Sequence, residues 1–212
     1  MESSFGLSNT LSKILLTCGI LSAVLYTATD LAAGLLTPGY RFDSQSASVL
    51  SAHGAATRKF VLSSDLISWI LLIAFSTGLW LTSRENWMLR AVAVLLAGNA
   101  LFSITALSFF PFYPEEAMNS TANKINVILM FISVFLFFLA ICFGAAANQN
   151  WFRYFSLGII GILFIGTIFG FAISRSETSI FGQHGPLVGI QERTIIYTWQ
   201  LWLALQAIVL MR

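Results

Sequence analysis

Charge is what this sequence has least of. Asp, Glu, Lys and Arg make up 9% of its 212 residues, whereas a soluble domain carries about 25%. That shortage excludes a soluble globular enzyme and a charge-rich disordered chain. The 11 basic residues stand against 9 acidic ones and form no block, so the net charge of +2 offers no surface for nucleic acid. Cysteine is nearly missing as well. Cys18 and Cys142 are the only two, both lie inside apolar stretches, and no CxxC or Cys/His spacing exists. A disulfide framework and a cysteine metal centre are therefore excluded, and packing is their expected role. The two histidines, His53 and His184, lie outside the apolar stretches, which excludes a haem held between membrane histidines. There is no GxSxG, no low-complexity segment and no clear internal repeat. The sequence gives no reason to assign a cofactor.

What fills the chain is apolar. Hydrophobic residues reach 57%, with 19 Phe and 6 Trp, and mean hydropathy is +0.82. A membrane-spanning helix needs about 20 mostly apolar residues. Six stretches meet that need: Ile14–Leu36, Val61–Thr82, Trp87–Phe110, Asn126–Ala146, Trp151–Ile173 and Arg193–Met211. Pro38-Gly39, Ser83-Arg84-Glu85-Asn86, Pro111 with Pro114, and Asn148-Gln149-Asn150 break them. The expected fold is all-α, a polytopic membrane protein with six transmembrane helices in one bundle and a single domain over residues 1–212. Only Lys13 precedes the first span as a charge near it, and that span is long enough to cross, so it reads as retained rather than cleaved.

The connections divide the two faces. Those after spans two and four are tight hairpins, whereas residues 37–60, 111–125 and 174–192 form long connections. With six spans, the long connections share one face and both termini share the other. Loops carry function more often than scaffold does, so a site is expected on the long-loop face. Basic residues number five on the short-loop side (Lys13, Arg84, Arg90, Arg153 and Arg212) and six on the other. The count does not decide orientation. The position of the short-side residues, in hairpins and at the terminal anchor, favours termini in the cytoplasm of a cell with an inner membrane. Gly166-xxx-Gly170 in span five and Ala28-xxx-Ala32 in span one allow close helix approach. They serve either packing within the bundle or a homodimer seam. Asn119-Ser120-Thr121 matches a glycosylation acceptor, a pattern that also arises by chance.

Charged residues inside spans cost several kcal/mol unless paired or hydrated, so each is a candidate functional group. Asp30 lies about 12 Å of helix below Pro38, and its short side chain snorkels poorly. Ala23, Tyr26, Asp30 and Ala33 share one face, which is expected to point inward. Asp65 lies one turn inside span two, with Ser68 on the same face. Arg193, Tyr197 and Gln200 make a polar stripe from the start of span six, next to Glu192. The expectation is Arg193 paired with Asp30 or Asp65 above an interior pocket. Either this is a buried structural ion pair that fixes helix docking, or it floors a site for a polar headgroup. Asn99, mid-membrane in span three, contributes to the site or bonds a neighbouring helix.

The first long connection is the richest segment. Asp43 or Ser44 suits an N-cap and Gly54 suits the residue past a helix end, which leaves room for a short interfacial helix of nearly three turns. His53 then sits at its C-terminus, where the dipole favours a protonated ring. Tyr40, Gln45, His53 and Arg58 would line the mouth of the pocket, although Arg58 and Lys59 also read as plain membrane anchors. His184 shares a face with His53, and two histidines with Asp or Glu can ligate a metal. No ligand pair has diagnostic spacing, so no metal is assigned.

Tyr26-x-x-x-Asp30-x-x-x-Gly34, Pro38-Gly39-Tyr40, Ser44-Gln45, Leu50-Ser51-Ala52-x-Gly54, Thr57-Arg58 and the closing Gly189-Ile190-Gln191-Glu192-Arg193 resemble a family of small bacterial membrane proteins. That family is catalogued as a domain of unknown function with six predicted spans. The resemblance implies the six-helix fold and points to these residues, and it supplies no reaction.

The expected function is that of an integral membrane protein binding a lipid headgroup or small amphiphile in a polar pocket on the non-cytoplasmic side. Asp30, Tyr40, Gln45, His53, Arg58, Asp65, Glu192, Arg193 and Tyr197 are the candidate ligand-binding residues, and membrane lipids are the expected partners. The alternatives are a lipid-modifying enzyme using Asp, His and Glu as acid and base, and a small transporter or structural subunit.

Overall fold

A computed structural model describes residues 2–111, 113, 120–176 and 187–212, with backbone alone at 2–9, 107 and 169–176. Glu115, Glu116 and the acceptor Asn119 lie outside the described residues, as do Glu177, Phe181, Gly182, His184 and Gly185.

Six helices are long and apolar enough to cross a membrane: α1 (Glu2–Leu36), α2 (Arg58–Thr82), α3 (Trp87–Phe109), α4 (Thr121–Ala147), α5 (Trp151–Ser176) and α6 (Val188–Met211). Each closes its own backbone hydrogen bonds, as apolar surroundings demand. Side chains then satisfy the ends. Asn86 caps α3 by accepting from the N–H groups of Met88 and Leu89 at 3.1 and 3.3 Å. Ser120 accepts from the Asn123 N–H at the start of α4. The Arg153 guanidinium, one turn into α5, donates to the Asn148 and Ala145 carbonyls that end α4. The positively charged group therefore sits where the helix dipole is negative.

Consecutive helices pack on each other, and α6 returns to lie against α1, so the six form a closed ring; α6 also touches α2 and α4. Thr17 donates to the Met211 sulfur at 3.5 Å, which sets the end of α6 beside the middle of α1. The core holds Phe75, Leu96, Ile141, Phe152, Trp202 and Leu203. Trp202 donates its indole N–H to Ser156 at 2.9 Å. Large apolar side chains also cover the outside, Phe164, Ile165 and Phe135 among them, as lipid-facing surfaces require. Trp80, Trp87, Trp151 and Tyr154 are exposed beside the short connections, forming an interfacial aromatic belt. Asn99 resolves to the second of its two readings: its amide bonds the carbonyl and hydroxyl of Ser133 on α4 at 2.8 and 2.9 Å.

Several boundaries differ from the hydropathy reading, most of all that of α1, which starts at Glu2 rather than Ile14. Helix α4 begins at Thr121 and α6 at Val188, about one turn before their apolar runs, because the Ser120 hydroxyl caps α4 and the Asp43 carbonyl accepts from the first N–H groups of α6. The interfacial helix is also shorter than the expected three turns. It is a 3₁₀ helix over Ala47–Ser51, capped by Ser46, whose hydroxyl accepts from the Ser48 N–H. The carbonyls of Phe42, Asp43 and Gln45, which a longer helix would use internally, are bonded to α6 instead. Gly54 takes φ +80° just beyond it, a conformation suited to glycine.

Candidate functional site

The site begins with α1. Its inward face carries Ala23, Asp30 and Ala33, all buried, with Asp30 8% exposed. A carboxylate at this depth needs a partner, and α6 supplies two. Arg193 holds both Asp30 oxygens, Nε to Oδ2 at 2.9 Å and Nη2 to Oδ1 at 3.1 Å. Tyr197, one turn further along α6, donates its hydroxyl to Oδ2 at 2.5 Å. A two-pronged guanidinium–carboxylate contact fixes geometry as well as charge.

Arg193 does more than pair. Its Nη1 donates to the Phe42 and Gln45 carbonyls at 3.1 and 3.0 Å, and Nη2 donates to the Tyr40 hydroxyl at 2.5 Å. The guanidinium has five N–H donors, and these bonds employ all of them. Its carbon also lies 4.9 Å from the Phe42 ring centroid and 5.4 Å from that of Tyr40, within cation–π range. One α6 side chain thus holds α1 below it and the first long connection above it.

The rest of α6's first turn continues the seam. Glu192 accepts from the Ala47 N–H at 2.7 Å, the first free donor of the 3₁₀ helix. The N–H groups of Gly189 and Ile190 donate to the Asp43 carbonyl at 3.1 and 3.3 Å. At Gly189 a β-carbon would overlap the Phe42 carbonyl oxygen and lie 2.5 Å from that of Gln45, so only glycine lets the connection lie this close. Gln191 reaches the other way, donating to the Gly166 carbonyl of α5 at 3.2 Å, and Gly166 faces Ile195 of α6. Gly170 is part of α5.

Tyr40 accepts from Arg193 while donating to the Ser46 carbonyl at 2.8 Å. Burial pushes its phenol above the ordinary value, and the neighbouring guanidinium partly offsets this; the hydroxyl therefore keeps its proton and its donor role. Gln45 uses its side-chain oxygen to accept from the Arg41 N–H at 2.6 Å. On the outer edge, Arg41 and Asp43 pair at 3.0 Å with both side chains largely exposed. The Arg41 guanidinium and the Ser44 hydroxyl hold the Asp43 carboxyl below its usual range.

The structure thus gathers Asp30, Tyr40, Gln45, Glu192, Arg193 and Tyr197 into one seam. Three other candidates make no bond to it. Arg58 donates to the Ser51 carbonyl at the far end of the 3₁₀ helix. His53 is exposed and its ring lies 4.8 Å from that of Tyr113 in the second long connection. Asp65 is buried in α2 at 7% exposure and makes no hydrogen bond or ion pair among the described residues. Deeper in α6, the Gln200 side-chain oxygen and both amide atoms of Gln206 are buried without partners among the described residues. No group of three or more His, Cys, Asp or Glu residues capable of holding a metal occurs among the described residues.

On its outer side the seam roofs a cleft of about 580 Å³. Phe42 and Asp43 overhang it, and Ile190, Thr194, Tyr197 and Leu201 run down α6 beneath them, with Arg193 and Thr198 filling its wall. Ile190 and Leu201 are 49% and 51% exposed, so the cleft opens sideways, toward what would be lipid. A second groove of about 280 Å³ lies between α5 and α6, lined by Ile162, Ile165, Gly166, Leu187 and Gln191, and it meets the first at Ile190 and Thr194. Chemically, the cleft offers a long apolar wall and few free polar groups. The Thr194 hydroxyl is donated to the Ile190 carbonyl at 2.8 Å, the Tyr197 hydroxyl goes to Asp30 and the guanidinium is filled. Phe42, Thr194, Thr198 and Leu201 were not among the residues singled out from the sequence. The signal for them was a pair of threonines four apart on an otherwise apolar helix face.

The family model described as protein of unknown function (DUF998) matches residues 20–209, and the chain belongs to that family. No curated protein and no solved structure matches it.

Proposed function

We propose that this DUF998 protein binds a membrane amphiphile, with the apolar part lying in the cleft on the outer face of α6 and the polar part beside Phe42 and Asp43. The observation that supports this reading is a sideways-opening apolar cleft inside a membrane-spanning stretch, roofed by an ordered polar connection. A solute arriving from water would meet the loop first, whereas a lipid in the surrounding leaflet meets the cleft directly. In this reading the protein lies in the inner membrane with both termini in the cytoplasm, and the cleft opens into the outer-facing leaflet.

Arg193 and Asp30 then act as positioning residues. Every donor of the guanidinium is committed within the protein, so Arg193 shapes the roof of the cleft and does not grip a phosphate. Tyr40, Gln45 and Glu192 serve the same end by holding the connection down.

Mass spectrometry of the intact protein, released from mild detergent, tests the reading. Thr198→Trp places an indole in the cleft from a half-exposed, lipid-facing position. Wild-type protein is expected to carry bound lipid that this variant loses while keeping its unfolding temperature. Equal lipid on both proteins would overturn the proposal.

A further inference from the structure

The two grooves on α6 are separated only by a single file of side chains, Ile190 followed by Thr194. Both side chains project outward. The larger groove runs from Ile190 to Leu201, about 16 Å of helix, which matches one leaflet of a hydrocarbon core about 30 Å thick. The smaller one is bounded on α6 by Leu187 and Thr194, about 10 Å apart along the axis. They begin within one helical turn of each other, at Ile190 and Leu187. Asp43 lines the first and Leu187 the second, and the Gly189 N–H bonded to the Asp43 carbonyl keeps these two ends close together.

From this we infer that the bound amphiphile is a two-chain lipid that straddles the Ile190–Thr194 ridge, one acyl chain in each groove. The inference rests on the lipid reading above and adds chain number to it. Two chains rising from one glycerol are separated by little more than their own width, which is the width of a ridge one side chain thick. Two unrelated single-chain molecules would have no reason to begin this close together. The unequal depths let one chain follow the wall of α6 through the leaflet, while the other turns out between α5 and α6. The headgroup comes to rest beside the exposed Arg41–Asp43 pair, which presents one charge of each sign to it.

The test uses the full-length protein and two probes with the same headgroup, dioleoyl phosphatidylcholine and its one-chain lyso form. Relative affinities come from mass spectrometry of the intact protein titrated with each probe. Two variants fill one groove each: Thr198→Trp the larger, Ile162→Trp the smaller. Wild type is expected to favour the two-chain lipid by roughly tenfold, a difference of about 1.4 kcal/mol. Ile162→Trp should erase that preference and leave one-chain binding unchanged, whereas Thr198→Trp should weaken both probes. If Ile162→Trp leaves the preference intact while Thr198→Trp still abolishes binding, the straddling arrangement is wrong and the single-cleft reading stands. If neither variant changes either probe, both readings fall together.

Discussion

Arg193 and Asp30 stand 163 residues apart in the chain and meet through two parallel bonds of 2.9 and 3.1 Å, with both side chains more than nine-tenths buried. Removing one partner of such a pair leaves an uncompensated charge and costs about 3–5 kcal/mol. Asp30→Asn is therefore expected to lower the thermal unfolding midpoint sharply in detergent. A midpoint within a degree or two of wild type would mean the pair contributes little to holding α1 against α6.

Asp65 should behave in the opposite way. It is as buried as Asp30 but has no partner among the described residues, so its charge gains nothing within the protein to offset lost hydration. Asp65→Asn is expected to leave the unfolding midpoint unchanged or raise it. A fall as large as that of Asp30→Asn would show that Asp65 is engaged by something beyond these side chains.

At Gly189 the space for a β-carbon is already taken by two carbonyl oxygens of the first long connection. Gly189→Ala is expected to push that connection away at a cost of about 1–3 kcal/mol, the usual range for overpacking. Limited proteolysis reads the effect locally: cleavage between residues 40 and 52 should accelerate while the helices stay resistant. Unchanged cleavage would indicate that the seam tolerates the extra methyl group.

The Arg41–Asp43 pair is the pH-sensitive part of the roof. The Asp43 carboxyl is held below its ordinary value in the folded protein. Its contribution is thus fully present above the usual aspartate range and is lost as pH falls through the lowered value. Being exposed, it is also weakened by salt. A carbon-13 titration of Asp43 should show a depressed midpoint in wild type that moves up toward about 3.9 in Arg41→Gln. Identical midpoints in the two proteins would assign the depression to Ser44 and the Asp43 backbone N–H rather than to Arg41.

Hydropathy made the six helices legible because lipid exposure leaves no other use for twenty apolar residues in a row. It placed the ends less well. The first turns of α4 and α6 precede the apolar runs, and their helicity rests on Ser120 for α4 and on the Asp43 carbonyl for α6. The pairing of Asp30 with Arg193 was legible as one of two choices, because a charge at that depth demands a partner. The helix in the first long connection is shorter than its local signals imply, because the neighbouring carbonyls are claimed by an arginine and a helix start about 150 residues away. The cleft left almost no trace. Its walls are lipid-facing residues, and in composition they look like every other outward face of the bundle.

The ring of helices closes only through α6, and this orders the assembly of the protein in time. While the chain is being made, α1 enters the membrane carrying Asp30 with no cation beside it, and the first long connection has carbonyls with nothing to bond. Both wait until the last helix arrives with Arg193. A chain that stops short of α6 leaves Asp30 without its cation and the first long connection without the arginine that holds it.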